Sequence, residues 1–210
     1  MDGGPRDLSV EIESVLTALE LLRGSGISHI PVPRPPRGPG AGGGGAVPGE
    51  GRTGARVMFI GSVPDHASAA AGRPFSEDGP EGELLARMMA PMGLARDEVY
   101  ITYAVKTPPV GGAGGAVGAG PAPGRSRDVL AREISAVGPS VIVTLGEAAA
   151  EAVLGSRGLT ALRGRFHSYG GIPVMPTHEP ATLLKREALK REAWEDLKKV
   201  MKRLALRPPE

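Results

Sequence analysis

Four short stretches of this 210-residue chain carry side chains able to do chemistry: GSVPD over Gly61–Asp65, YAVKTPP over Tyr103–Pro109, the single Gly146, and THEP over Thr177–Pro180. Each stands directly behind an apolar run. Ser62 offers a hydroxyl that can hold a water but is a poor general base without a partner. Asp65 and Glu179 offer carboxylates, and Tyr103 a phenol with one hydroxyl. His178 offers an imidazole that changes charge near neutrality. Each also has a plainer reading: an Asp between strand and helix commonly caps the helix, and a lone His beside a Pro is commonly a hydrogen-bonded loop residue. The chain has no cysteine. Disulfides, thiolate zinc sites, cysteine nucleophiles and cysteine-ligated iron-sulfur clusters are therefore excluded.

The apolar runs before those stretches read as buried strands: RVMFI at Arg56–Ile60, VYITYAV at Val99–Val105, SVIVTL at Ser140–Leu145, and a fourth strand region at Phe166–Tyr169 and Val174–Thr177. Helical patterns lie between them. Leu84, Leu85, Met88, Met89 and Met92 form one face closed by Gly93; Val129–Val137 follows, then an Ala-rich Gly146–Leu154. Leu189, Ala193, Leu197, Val200, Met201 and Leu204 stripe a long basic C-terminal helix. Strands alternating with helices predict an α/β fold, a three-layer sandwich with a central four-stranded parallel sheet. In such sheets ligands bind beyond the carboxyl ends of the strands. That is where the four stretches fall.

Gly 32 and Pro 21 make about a quarter of the chain, a level at which unstructured segments are expected. The Pro, Gly and Arg run at 31–54 predicts a flexible linker, and GGAGGAVGAGPAPG predicts a flexible insertion within 110–125. Leu8, Ile12, Val15, Leu16, Leu19 and Leu22 recur at helical spacing, so 1–30 is expected to hold a helix docking its Leu-rich stripe on a domain at 55–206. The net charge of +2 does not by itself demand nucleic acid. No stretch is apolar over the roughly 18 residues a membrane span needs, and no signal-peptide pattern opens the chain. A cytoplasmic monomer without membrane association is expected.

The segments VMFIGSVP (57–64), GRPF (72–75), VYITYAVKTPP (99–109), PSVIVTLG (139–146), LTALRGRFHSYGGIPVMPT (159–177) and KREAWEDLKKV (190–200), in this order, resemble the iron-sulfur uracil-DNA glycosylases called family four. The resemblance covers nearly all of the chain after residue 55. It implies a fold of the uracil-DNA glycosylase type and DNA as partner, with a target base flipped out of the helix into a pocket. By that resemblance Phe75 provides the stacking face and Tyr103 takes the place of the family's base-reading Asn. Ser62 replaces an acid in the first loop, with Asp65 as a possible substitute. Glu179 stands where the family has a His that steadies the departing base, and His178 lies one residue earlier. Leu183 or Leu184 would enter the vacated stack, and Arg163, Arg165, Lys185, Arg186, Lys190 and Arg191 would meet phosphates.

Two of the family's cluster cysteines fall in RGSGISHIP, a third at Thr107 and the fourth near Ser126. All are replaced, so no cofactor is expected. The resemblance implies hydrolysis of the N-glycosidic bond of a deaminated base in DNA base-excision repair. The substituted pocket implies the alternative, a catalytically degenerate module that binds nucleic acid or a protein partner. An unrelated small-molecule binder on the same sheet would leave the ordered resemblance unexplained.

Overall fold

The computed structural model describes residues 45–108 and 123–207. The N-terminal helix, most of the 31–54 linker and most of the 110–125 insertion lie outside the described residues. The described elements run β1 (Glu50–Gly51), β2 (Val57–Gly61), α1 (His66–Ala71), α2 (Pro80–Met89), a 3-10 turn (Ala90–Met92), β3 (Tyr100–Tyr103), α3 (Pro123–Val137) and β4 (Val141–Leu145). There follow α4 (Glu147–Leu154), α5 (Leu159–Leu162), β5 (His167–Tyr169), β6 (Ile172–Thr177), α6 (Pro180–Lys185) and α7 (Leu189–Leu204). No described helix is long and apolar enough to cross a membrane.

The strands form one sheet in the order β1-β3-β2-β4-β6-β5. Its centre is the parallel set β3, β2, β4 and β6. Period-two geometry sends alternate side chains of each strand to opposite faces. Val57, Phe59, Val141, Val143, Leu145 and Met175 enter one core with Leu85, Met89, Met92, Leu197 and Val200. Met58, Ile60, Ile142 and Val174 enter the other with Leu130, Ile134, Val137, Ala149 and Val153. Both faces are thus covered by helices, giving the three layers and the α/β class.

The sheet has six strands, not four, because an antiparallel strand closes each edge. At one edge β1 falls within the stretch expected to be linker. Val47 is buried and its N–H donates to the Lys106 carbonyl at 2.7 Å. Glu50 pairs with Arg73 at 2.6 Å and Arg96 at 3.5 Å. Two paired residues in a Gly-rich context are too short to produce a periodic signal. At the other edge β5 folds back on β6 through Gly170 and Gly171, so the single strand region expected there is a hairpin. Helix α3 starts at Pro123, earlier than the Val129 that the pattern suggested.

The chain leaves β2 to one side for β3 and returns to the other side for β4, so the strand order reverses at β2. A crevice opens outside the carboxyl ends of β2 and β4, which is where open α/β sheets bind ligands. Helix α6 packs beside it, with Leu183 1% exposed in a cluster with Leu84 and Ala193, while the neighbouring Leu184 is 38% exposed. Leu183→Ala is expected to cost about 2–5 kcal/mol of unfolding free energy, and Leu184→Ala no more than about 0.5 kcal/mol. Urea denaturation checks this, and equal losses would contradict the placement of α6.

Candidate functional site

Ser62 follows β2 directly and Glu179 opens α6, so residues 117 positions apart meet at the crevice. Ser62 Oγ donates to Glu179 Oε2 at 3.2 Å and lies 3.4 Å from the Leu145 carbonyl. The other carboxylate oxygen accepts from Thr182 Oγ1 at 3.3 Å. Gly146, at φ +93, lies directly beneath: a Cβ there would come within 2.6 Å of Glu179 Oε2. Only glycine both tolerates that backbone and lets the carboxylate rest against it.

The other two candidate catalytic residues take the structural roles that such residues often have. Asp65 Oδ1 accepts from the Ser68 N–H at 2.9 Å as the cap of α1. His178 turns away from Ser62 and Glu179 toward α7, with Nε2 3.2 Å from Glu192 Oε2. Of the four expected catalytic side chains, the structure joins Ser62 with Glu179 alone.

Phe75 and Tyr103 are brought together. They are 2% and 1% exposed, with ring centroids 4.8 Å apart and planes inclined by 27°. The Phe75 N–H donates to the Tyr103 hydroxyl at 3.0 Å, and Ser68 Oγ lies 3.0 Å from the same oxygen. Burial pushes the Tyr103 phenol up to about 12, against the lowering effect of those two hydrogen bonds. The two rings crowd Gly61, whose added Cβ would come within 2.6 Å of Phe75 and 2.8 Å of Tyr103. The expected base reader therefore fills the space against the expected stacking face.

One acid at this mouth escaped the sequence reading. Glu81, in the first turn of α2, is pushed up to about 7 by burial and then by the charges of Asp65 and Glu179, with Lys185 acting the other way. An acid in a first helical turn is ordinary, so nothing local distinguished it. Its neighbours come from three other segments.

The expected DNA-contacting residues divide. Arg163 is engaged internally: it pairs with Glu192 at 2.9 Å and Asp196 at 3.1 Å, and donates to the Glu192 carbonyl at 2.8 Å. Leu183 is core, so it is not a wedge for DNA. Arg165, Lys185 and Leu184 are exposed. Asp196, 1% exposed, also accepts from Thr177 Oγ1 at 2.9 Å and so anchors the end of β6 immediately before His178 and Glu179. Its sequence signal was available: it lies on the buried stripe of α7, between Ala193 and Val200. Burial is the main cause raising its carboxyl above the usual range.

A second buried cluster joins β3 to α3. Glu133 accepts from Tyr100 at 2.9 Å and from Thr102, and pairs with Lys106. Lys106 precedes Thr107, and Glu133 lies two helical turns beyond Ser126, the two positions of replaced cluster cysteines within the described residues.

Fold and crevice together define an α/β protein with a ligand site at the reversal of its strand order, and comparisons with known proteins supply the family. Residues 48–198 match the uracil DNA glycosylase superfamily. A Type-4 uracil-DNA glycosylase of Saccharolobus solfataricus is 32% identical over 184 residues, covering 78% of this chain and 78% of the relative. That of Sulfurisphaera tokodaii is 34% identical over 78% of this chain and 76% of its own length. That of Archaeoglobus fulgidus is 32% identical over 73% and 79%. This chain belongs to the uracil-DNA glycosylase superfamily.

The expectation that no cofactor is involved requires correction. The relatives are of the iron-sulfur type, so independence from any cofactor does not follow from the comparisons. What the chain does fix is narrower. Without cysteine it offers no thiolate to a cluster, and among the described residues no group of three or more His, Asp or Glu is arranged to hold a metal ion. These residues do not fit the relatives' cluster.

Glu81 yields a signed prediction. Its folded value, raised from the ordinary 4.5 to about 7, means that the native state holds the extra proton between those limits. Its contribution to stability is therefore full below pH 4.5 and is lost as pH rises through 7. Glu81→Gln is expected to gain in melting temperature over the parent as pH rises through that window, then level off. A difference independent of pH would refute the assignment.

Proposed function

We propose that this protein is a uracil-DNA-glycosylase-like DNA-repair protein that engages DNA without releasing uracil, a degenerate form of the glycosylase site. A cytoplasmic monomer is the form proposed. The observation that carries this reading is the Glu179 carboxylate, hydrogen-bonded to Ser62 and resting over Gly146.

Breaking the bond between uracil and its sugar builds negative charge on the departing base, and the reaction is fast only where donors already face that charge. At the position matching the superfamily's His, this chain presents an acceptor. A carboxylate there repels the developing anion, and Asp65 and Glu81 add to the acidic field at the same mouth. His178 does not compensate, because its ring is engaged with Glu192. Support for DNA as partner comes from superfamily membership together with the exposed Arg165 and Lys185 near the crevice, whose charges would hold phosphates without reading bases.

The Ser62–Glu179 hydrogen bond supports a second reading, hydrolysis of a deaminated base other than uracil. A carboxylate that accepts from a hydroxyl can help to hold and polarise a water, provided the departing base needs less help with its charge. Single- and double-stranded oligonucleotides bearing uracil, hypoxanthine or xanthine separate the two readings. The proposal predicts salt-sensitive binding and no abasic sites from any of them. Uracil release, lost in Ser62→Ala or Glu179→Gln, would overturn it; release confined to hypoxanthine or xanthine would establish the second reading.

A further inference from the structure

Tyr103 does more than fill space. Its ring lies on Phe75 in a stacked geometry, with centroids 4.8 Å apart. Its oxygen accepts the Phe75 N–H at 3.0 Å, as a ring carbonyl would, and exchanges a hydrogen bond with Ser68 Oγ, also at 3.0 Å. Behind both rings Gly61 leaves room for their edges and for nothing else.

The host side of this seat is independently unusual. Phe75 holds φ at +46°, one of two non-glycine residues with positive φ among those described. That backbone region is sparsely used by bulky side chains, and such strain points toward a site more often than toward packing. Here the strained residue supplies both a ring face and a backbone donor to one occupant. Ser68, 0% exposed, adds a hydroxyl that already accepts from the Ser76 N–H at 3.3 Å.

We infer that Tyr103 is a resident analogue of a ligand: the seat against Phe75 is a site for a planar lactam heterocycle, kept occupied by the chain's own phenol. A lactam presents a carbonyl and an N–H side by side. Stacked on Phe75, its carbonyl takes the Phe75 N–H and its N–H faces Ser68 Oγ. Pyrimidinones and pyridones have that edge on a six-membered ring close in size to phenol; toluene has the size without the edge. The inference deepens the proposed function and rests on reading this crevice as the superfamily's base site, but its test needs no DNA.

The experiment uses the full chain carrying Tyr103→Gly, with binding followed by calorimetry and thermal shift. The variant is expected to melt below the parent and to regain stability with p-cresol, 2-pyridone or uracil. N-methyl-2-pyridone and toluene should bind at least about tenfold more weakly, the loss expected for a missing hydrogen bond or two. The parent should bind none of them. Binding of toluene as tight as that of 2-pyridone, or no binding by a variant with native circular dichroism, would overturn the inference and reduce Tyr103 to a core residue. Should Tyr103→Gly fail to fold alone, refolding in 2-pyridone but not in N-methyl-2-pyridone supports the site, and failure in both overturns it. Uracil release from oligonucleotides by the parent would sink the proposed function while leaving this binding result standing.

Discussion

The mouth of this molecule depends on one buried hydroxyl. Tyr103 closes β3, and its oxygen joins the Phe75 N–H of the loop before α2 to Ser68 of α1. Three segments that share no regular hydrogen bonding are thereby held at one point. A buried phenol left unpaired would be costly, so the tie and the packing of the two rings are mutually dependent. The same contact explains why position 61 is glycine, because both rings press where a side chain would stand.

Around that tie the crevice is arranged for an acceptor-rich interior. Glu179, Asp65 and Glu81 converge from three connections, and Ser62 spends its hydrogen bond on the first of them. On the far side of the last loop, Asp196 holds Thr177 and Arg163, while Arg163 and His178 share Glu192. The loop that carries Glu179 is thus fixed at its root by charges that face away from the crevice. Such a frame suits precise placement of whatever stands at position 179, and here that group is a carboxylate. The superfamily scaffold is retained, and the chemistry at its mouth has been reversed in sign.

The strands were legible because burial on both faces leaves near-continuous apolar runs: RVMFI and SVIVTL lie within a residue or two of β2 and β4. The edge strand β1 was not, since two residues beside glycines leave no period to detect. At the site, Phe75 and Tyr103 could be named by resemblance, but their contact could not. Nothing local brings Ser62 to Glu179 either; sheet order does. Asp196 was readable as an acid on an apolar stripe, and reading Arg163 as a phosphate contact missed that it is the partner Asp196 requires. Leu183 and Leu184 show the limit most simply: adjacent and chemically identical, they differ only in which side of α6 meets Leu84.

The most direct test of a closed base seat is the fluorescence of 2-aminopurine placed beside a uracil in duplex DNA, which rises when its neighbour leaves the stack. The protein is predicted to bind this duplex with no rise beyond that seen with thymine in place of uracil. A uracil-dependent rise on binding, abolished by Phe75→Ala, would mean that a flipped base reaches Phe75 and would contradict the account.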